Sequence, residues 1–259
     1  MPKLIDTNLY LSRWPFRRLP GDETEQLIHT LKQQEVNEAW VGSFDGLFHR
    51  DIAGVNERLH EESRTHGDGL LIPFGSINPL LPDWEEDIRR CQEEYQMPGI
   101  RLHPNYHEYD LNHPQFARLL DIATERGLIV QLALSMEDER TQHPLMSVPH
   151  VDPAPLKELV LERPLLKLQL LNVFRSLPVS KVNMFSGIPN ICFEIAMLEG
   201  VGGIEQLLGK IPPKRILFGS YYPFFHIESA QLKLMESTLG RAQQVSITYQ
   251  NAHQLRNPS

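Results

Sequence analysis

Cysteine is scarce in this chain: Cys91 and Cys192 are the only two in 259 residues. Both lie inside segments of regular apolar spacing, so the disulfide framework of small secreted proteins is excluded and the two side chains are expected to be packing residues. No apolar run approaches the roughly 20 residues that a membrane helix needs, and no basic and apolar leader opens the sequence. We therefore expect a soluble cytoplasmic protein.

Positive charge is also in short supply. Lys and Arg number 25 against 33 Asp and Glu, which gives a formal net charge of −8. A surface of this sign repels phosphate backbones and anionic lipids, so we expect neither a nucleic-acid partner nor a membrane partner. Small molecules or other proteins are the favoured partners.

Several catalytic and cofactor motifs are missing. No glycine-rich phosphate loop follows the first predicted strand, which argues against an open doubly wound nucleotide-binding sheet. The GxSxG nucleophile elbow is absent, and neither cysteine has an obvious histidine partner in the sequence. The sequence thus offers no recognisable serine or cysteine nucleophile.

Short apolar runs rich in strand-forming residues alternate with longer stretches of helical periodicity. Strands are predicted at residues 3–8, 38–43, 69–76, 99–103, 128–134, 165–172, 190–196 and 215–220, and helices at 23–34, 51–64, 84–95, 114–126, 155–163, 201–210 and 226–239, with a weaker helix at 176–185. Helical connections of this length join parallel strands, and eight such units close a barrel of about 250 residues. We predict an α/β fold, a single (β/α)8 TIM barrel domain over residues 1–259.

Seven segments carry a family resemblance through their order and spacing. They read LIDTNLY, GIRLHP, GLIVQLAL, RPLLKLQLLN, NICFEIA, RILFGSYYPF and ITYQNAHQL. With them the chain resembles the amidohydrolase-related barrel proteins of the amidohydrolase 2 type, metal-dependent enzymes that include hydrolases and nonoxidative decarboxylases of small aromatic or carboxylic compounds. The resemblance implies a functional site at the carboxyl ends of the barrel strands.

The resemblance also implies a divalent metal centre, but the residues at its positions differ. The first strand of the family reads DxHxH, and Asn8 and Tyr10 replace the two histidines. The histidines of the fifth and sixth strands become Ala133 and Asn172, and the aspartate of the eighth-strand FGSD becomes Tyr221. Alanine offers no ligand atom, and neutral tyrosine and asparagine are poor substitutes for imidazole. We therefore predict no metal site and no cofactor.

Polar side chains nevertheless remain at the predicted mouth of the barrel. The residues expected to bind a ligand are Asn8, Tyr10, Arg101, Gln131, Asn172 and Tyr221, and the candidate catalytic residues are His103 and Glu194. The first βα loop adds three arginines at positions 13, 17 and 18. Guanidinium groups recognise carboxylates bidentately, so a small anionic metabolite is the expected ligand.

Arg101 and His103 each allow two interpretations. Arg101 is either a buried cation paired with Asp6 or Glu194, or the group that holds a ligand carboxylate. His103 is either a hydrogen-bonded residue at a strand end or a proton shuttle, because imidazole titrates near neutral pH.

The aromatic residues near the mouth are also open to two interpretations. Tyr10 and Tyr221 are expected to be packed plugs in the space that the missing ligands leave, rather than ligand contacts. Trp14 and Phe16 could cover a substrate, but anchoring of the loop or packing between subunits is the favoured use. A homo-oligomer is possible, with the SRWPFRR loop as a candidate contact.

Three functions remain, in order of preference. The first is a barrel protein without the metal centre that binds a small carboxylated metabolite and does not catalyse a reaction. The second is a metal-independent hydrolase or lyase for a small carboxylate, lactone or ester, in which His103 and Glu194 move protons and Arg101 holds the carboxylate. The third is a conventional metal-dependent hydrolase whose ligands have moved elsewhere. Fold alone does not decide between them.

Overall fold

The structure, a computed structural model, describes residues 3–138, 140 and 142–258. Its strands are β1 (Ile5–Leu11), β2 (Glu38–Ser43), β3 (Leu71–Pro73), β4 (Gly75–Ser76), β5 (Gly99–Leu102), β6 (Ile129–Ala133), β7 (Lys167–Leu171), β8 (Ile191–Glu194) and β9 (Ile216–Leu217). Strands β3 and β4 are separated only by Phe74, which follows Pro73, a residue without an N–H for sheet pairing. They occupy one barrel position, so the strands fill the eight predicted positions.

Helices connect these strands along the outside of the barrel. They are α1 (Thr24–Gln33), α2 (Asp45–Phe48), α3 (Ile52–Gly67), α4 (Trp84–Glu93), α5 (Pro114–Glu125), α6 (Leu156–Leu161), α7 (Val173–Ser176), α8 (Gly203–Leu208), α9 (Ile227–Glu236), α10 (Arg241–Val245) and α11 (Asn251–Arg256). The weaker helix predicted at 176–185 corresponds to the end of α7 and a 3₁₀ segment, Val179–Phe185. Within the described part of the chain, no helix is both long enough and apolar enough to cross a membrane.

All the strand pairs are parallel, and the sheet closes on itself. Neighbours pair in the order β1-β2-β3 and β4-β5-β6-β7-β8-β9. The two halves are joined at Phe74, whose N–H donates to the carbonyl of Val41 at 2.8 Å, and at the seam where the N–H of Thr7 donates to the carbonyl of Phe218 at 3.0 Å. The chain thus forms the predicted (β/α)8 barrel.

Apolar clusters occupy both ends of the barrel. Near the amino ends of the strands lie Ile5, Trp40, Phe74, Ile129, Cys192 and Leu217, packed against Ala252 of α11. Near the carboxyl ends, which we call the mouth, a second cluster contains Tyr10, Trp14, Leu19, Phe44, Leu47, Ala133, Met136, Leu171, Ala196, Met197 and Tyr221. The position that barrel enzymes use for their site is therefore filled largely by apolar and aromatic side chains.

Candidate functional site

The eight predicted site residues all lie inside the barrel. Asn8, Tyr10, Arg101, His103, Gln131, Asn172, Glu194 and Tyr221 are each at most 1% exposed. They lie close together near the carboxyl ends of the strands, but they are packed in the interior and do not line an open pocket. A ligand outside the barrel does not meet them without displacement of the residues above.

Tyr10 fills the position where the family has its second first-strand histidine. Its hydroxyl hydrogen-bonds to Nε2 of His103 at 3.0 Å, and its ring stacks on Phe44 with centroids 4.7 Å apart. The guanidinium of Arg101 lies 4.5 Å from the centre of the same ring. Tyr10 therefore packs as a plug and contributes a cation–π contact to the interior.

Tyr221, which follows β9, packs against Tyr10 in the same part of the barrel interior. Its hydroxyl donates to the carbonyl of Met136 at 2.7 Å, and its ring meets that of Tyr10 edge to face at 5.8 Å. A stacked Phe224 ring covers it, with centroids 5.1 Å apart. Burial raises the pKa of Tyr221 well above its ordinary value, so the hydroxyl keeps its proton and acts as a donor.

Arg101 is a buried cation whose partners are neutral. Nε donates to Oε1 of Gln131 at 2.8 Å, and the two terminal nitrogens donate to the carbonyls of Leu9 at 2.6 Å and Trp40 at 3.1 Å. No ion pair joins Arg101 to a carboxylate among the described residues. The expected pairing with Asp6 or Glu194 is therefore not found, because neutral acceptors already occupy the guanidinium.

Two glutamines extend this network across the barrel. Nε2 of Gln131 donates to the carbonyl of Thr7 and to Oε1 of Gln169, both at 2.9 Å. Nε2 of Gln169 donates to the hydroxyl of Thr7 at 2.7 Å, and that hydroxyl donates to the carbonyl of Phe218 at 2.8 Å. This chain of hydrogen bonds ties four strand positions together.

Asn8 and Asn172 are bonded to each other. Nδ2 of Asn8 donates to Oδ1 of Asn172 at 2.9 Å, and Nδ2 of Asn172 donates to the carbonyl of Ser135 at 2.8 Å. The backbone of Asn172 has φ +57°, a left-handed conformation that asparagine tolerates better than most residues. Its N–H donates to Oε1 of Glu194 at 2.6 Å, and the other carboxylate oxygen accepts from the N–H of Ala196.

Asp6 is a second buried acid beside this group. Its Oδ1 accepts from the N–H groups of Ser220 at 3.0 Å and Asn8 at 3.2 Å, whereas Oδ2 has no partner among the described residues. Burial raises the pKa of Asp6 to about 7, and the negative charge of Glu194 adds to the effect. Burial likewise raises the pKa of Glu194.

The two candidate catalytic residues do not share a hydrogen bond. His103 bonds to Tyr10 through Nε2, and its Nδ1 has no partner among the described residues. Burial, with smaller contributions from His107 and Arg101, lowers the pKa of His103 well below its ordinary value, so the ring is neutral at pH 7. The Glu194 carboxylate is bonded to backbone N–H groups instead. Their catalytic roles therefore stay a prediction.

The arginines of the first βα loop do not form an open anion site. Arg18 pairs with Asp22 at 2.6 Å, and Arg13 pairs with Glu23. The third, at position 17, forms an ion pair with Glu137. Each guanidinium already has a carboxylate of the protein as its partner, so the sequence pattern overstated the free positive charge at the rim.

A cleft of about 330 Å³ lies above the plug, at the mouth. We call it the mouth cleft; its lining is Trp14, Phe16, Leu47, Phe48, Asn105, Tyr106, Glu108, Glu137, Gln142, Leu145, Met146, Ser147 and Val148. None of the eight predicted site residues lines it. Of the two aromatic residues that the sequence suggested as a cover or an anchor, Trp14 is buried and Phe16 is half exposed, and both border this cleft.

Known proteins that resemble this chain identify its family. The sequence model of the amidohydrolase family matches residues 24–168, more than half of the chain. The chain belongs to the amidohydrolase family. The matched region includes Arg101, His103 and Ala133 but ends before Asn172, and it omits β1, which carries Asn8 and Tyr10, and the segment after β9, which carries Tyr221. No curated protein sequence matches the chain significantly.

Solved structures agree over nearly the whole barrel. A 5-carboxyvanillate decarboxylase from Sphingomonas paucimobilis superposes with a TM-score of 0.78 at 12% identity, over 98% of this chain and 99% of that one. A dihydroxybenzoic acid decarboxylase from Polaromonas sp. JS666, with bound manganese and 2-nitroresorcinol, gives 0.77 at 13% identity over 99% and 97%. A 2,6-dihydroxybenzoate decarboxylase from Rhizobium gives 0.71 at 14% identity over 99% of both chains. At these identities the likeness establishes the fold.

The replaced positions do not suit a metal ion of the family type. Burial raises the pKa of both Tyr10 and Tyr221, so their hydroxyls resist ionising to ligands, and Ala133 has no donor atom. Among the described residues of this network, Oδ2 of Asp6, Oδ1 of Asn8 and Nδ1 of His103 have no hydrogen-bond partner. Within the described residues, no group of three or more His, Cys, Asp and Glu side chains is arranged to hold a metal.

Sequence reasoning missed two members of the interior network. Gln169 lies on the same strand face as Gln131 of the neighbouring strand, and the two are register partners, so the period of two could have identified it. Thr7 could not be found in this way, because the register between β1 and β2 shifts between Asp6 and Leu9 and changes the alternation of β1.

Proposed function

We propose that this chain is an amidohydrolase-family barrel that binds a small molecule at its mouth and does not carry out the metal-dependent reaction of its relatives. The observation that carries the proposal is the pair of tyrosines at two replaced positions. Tyr10 and Tyr221 meet edge to face, and their hydroxyls are bonded to His103 and Met136. A substrate and a metal ion in this place would have to displace both rings.

The relatives support the size and character of the ligand. The Sphingomonas, Polaromonas and Rhizobium proteins are named as decarboxylases of small aromatic carboxylates, and the Polaromonas structure contains the inhibitor 2-nitroresorcinol. The mouth cleft has room for a molecule of that size, since ligand pockets begin at roughly 300 Å³. Exposed and half-exposed aromatic side chains border it, which suits a ring.

The carboxylated ligand expected from the sequence has less support. Arg101 was to hold the carboxylate, but its nitrogens are bonded to Gln131, Leu9 and Trp40 inside the barrel. The rim arginines are paired with carboxylates of the protein. A carboxylate at the mouth would therefore have to break an existing ion pair to obtain a cationic partner.

The metal-independent hydrolase or lyase is also less favoured. It requires a substrate that touches both His103 and Glu194, and both side chains are fully buried with hydrogen bonds to other groups. No described residue bonds to both. A reaction on this pair would need the aromatic cluster at the mouth to open widely.

Metal content tests the proposal most directly. The protein is purified without chelators, incubated with excess Zn²⁺ or Mn²⁺, dialysed, and analysed by mass spectrometry for bound metal. The Polaromonas decarboxylase, whose structure contains manganese, serves as the positive control. We expect far less than one ion per chain, and no hydrolysis or decarboxylation of benzoates, lactones or esters.

Two results would overturn the proposal. One is a metal ion retained at one per chain and lost on substitution of residues inside the barrel. The other is turnover that His103→Asn and Glu194→Gln abolish while the thermal unfolding of the variants stays cooperative.

A further inference from the structure

The mouth cleft has an aromatic rim built from three loops. The centroid of the Trp14 ring lies 5.4 Å from that of Phe16, 5.4 Å from that of Phe48 and 6.4 Å from that of Tyr106. Phe48 and Tyr106 meet edge to face at 5.6 Å. These rings follow β1, β2 and β5, so the cleft lies at the carboxyl ends of the strands, where barrel proteins bind their ligands.

The aromatic rim remains partly open to solvent. Phe16 is 50% exposed and Phe48 is 42% exposed, and across the cleft Leu145 is 88% exposed. A contiguous apolar surface of this kind on a soluble protein marks a place where something binds. Trp14, which is 2% exposed, underlies the rim.

Two polar atoms of the lining lack partners. Nε1 of Trp14 is buried and donates to no acceptor, and Oδ1 of Asn105 accepts from no donor, among the described residues. The amide nitrogen of Asn105 is held by the carbonyl of Pro149 at 3.1 Å, which fixes the side chain. Both atoms are themselves buried, so they lie behind the surface of the cleft and a ligand does not reach them unless these side chains shift.

The charge of the lining is negative. It contains Glu108, which is exposed, and Glu137, which is buried and paired with Arg17, and among the described lining residues there is no Lys, Arg or His. Arg17 is further engaged with the ring of Phe224, 5.3 Å from its centroid. A carboxylate ligand in the cleft would face the unpaired charge of Glu108 and would find no free cation among the described lining residues.

We propose that the mouth cleft binds a flat aromatic molecule without negative charge. The inference rests on the proposed function, since it names the ligand class of the site at the mouth. It separates this chain from the Sphingomonas and Rhizobium relatives, which are named as decarboxylases of aromatic carboxylates. The cleft of about 330 Å³ accommodates one substituted ring.

Three probes of equal shape distinguish ligand charge: benzamide, benzamidine and benzoate. Their binding to the full-length, metal-stripped protein is measured by ligand-observed NMR and by quenching of tryptophan fluorescence at pH 7.5. We expect benzamide and benzamidine to bind at least about fivefold more tightly than benzoate, because only benzoate is repelled by the exposed Glu108 and it finds no free cation among the described lining residues.

Substitutions at the cleft and away from it complete the test. Phe48→Ala removes part of the aromatic rim and should weaken benzamide binding about fivefold or more. Met235→Ala is the matched control, because Met235 is 74% exposed and lies on α9, outside the mouth cleft. Cooperative thermal unfolding confirms that each variant is folded.

Three outcomes would overturn the inference: no measurable binding of benzamide or benzamidine, tighter binding of benzoate, or binding that Phe48→Ala and Met235→Ala affect equally. These outcomes are separable from failure of the proposed function. A stoichiometric metal ion with probe binding as expected would refute the metal-free barrel and leave the mouth cleft intact. A metal-free, inactive protein that binds none of the probes would refute the inference about the mouth cleft and leave the metal-free barrel intact.

Discussion

Asp6 gives the barrel interior a pH response that can be isolated by one substitution. The carboxyl group is fully buried, accepts two backbone hydrogen bonds through Oδ1, and has a pKa raised by burial from 3.8 to about 7. In Asp6→Asn the amide oxygen can accept the same two N–H groups, but the side chain cannot ionise. The variant therefore removes the titration and preserves the shape of the residue.

The sign follows from the two pKa values. Below pH 3.8 the group is protonated in both the folded and the unfolded chain. Between pH 3.8 and about 7 the unfolded chain has released the proton and the folded chain retains it, so the free energy of unfolding falls as pH rises. At 1.36 kcal/mol per pKa unit, the loss across this window is on the order of 4 kcal/mol.

Other buried groups act in the same pH range, so the difference between variant and wild type is the quantity to measure. Burial lowers the pKa of His103 and His107, which makes the fold less stable as pH falls below 6.5 and partly masks the effect of Asp6 in the wild type. Urea unfolding of Asp6→Asn and wild type, followed by the fluorescence of the three tryptophans, is compared from pH 4 to pH 8.

We expect the stability of Asp6→Asn relative to wild type to increase steadily from pH 4 to pH 7 and then to level off. Asp22→Asn is a control without a pH trend in this range, because Arg18 lowers the pKa of Asp22 below 3.8 and the group is therefore ionised in both the folded and the unfolded chain above that pH. A difference between Asp6→Asn and wild type that stays constant over this range, or that decreases with pH, would refute the reasoning.

Three further predictions concern buried polar groups and thiols. Tyr10→Phe should lower the free energy of unfolding by about 1–3 kcal/mol, because it removes the one hydrogen bond that the imidazole of His103 makes among the described residues. Tyr109→Phe should have little effect, because that buried hydroxyl has no partner among the described residues; chemical denaturation measures both variants. Gln131→Leu breaks three interior hydrogen bonds and should cost more than about 3 kcal/mol in the same assay. Burial raises the pKa of the thiols of Cys91 and Cys192, so iodoacetamide at pH 8 should label neither in the native protein and both in urea, as judged by intact mass.

The fold was predictable because the apolar patterns, the segment lengths and the connections between segments all indicate the same architecture. Alternating strands and helices of the right length, with no linker between them, indicate a parallel barrel, and the strand positions follow the apolar runs. The break at Phe74 and the short helix α2 were not predicted, since both depend on tertiary contacts and on a proline within a strand. The ends of the helices differ by a few residues from the predicted bounds, as expected for positions set by local capping.

The residues that compose the site were predictable, but their burial and their ion-pair partners were not. Period-two alternation identified Arg101, His103 and Gln131 as inward-facing, and the structure brings them together. Whether they face solvent depends on the depth of each residue and on what covers it, and neither quantity is encoded in strand periodicity. The same limit explains Arg17, because its ion-pair partner Glu137 belongs to a separate loop that only the folded chain brings close, whereas Asp22, the partner of Arg18, lies only four residues further along the sequence.

On the proposed function, the replacement of the family's metal-ligand positions and the replacement of the eighth-strand acid are physically coupled. A dication would offset the charges of Asp6, Glu194 and an aspartate at position 221, whereas the guanidinium of Arg101 supplies one positive charge to this network. A third buried carboxylate beside Asp6 and Glu194 would raise the cost of ionising all three, since burial raises the pKa of both acids that are present and the charge of Glu194 further raises that of Asp6. Tyr221 avoids that cost because its hydroxyl stays neutral and donates to a backbone carbonyl. On this proposal the tyrosine is the type of replacement that a metal-free interior favours, and the acid and the metal ligands are replaced together for one physical reason.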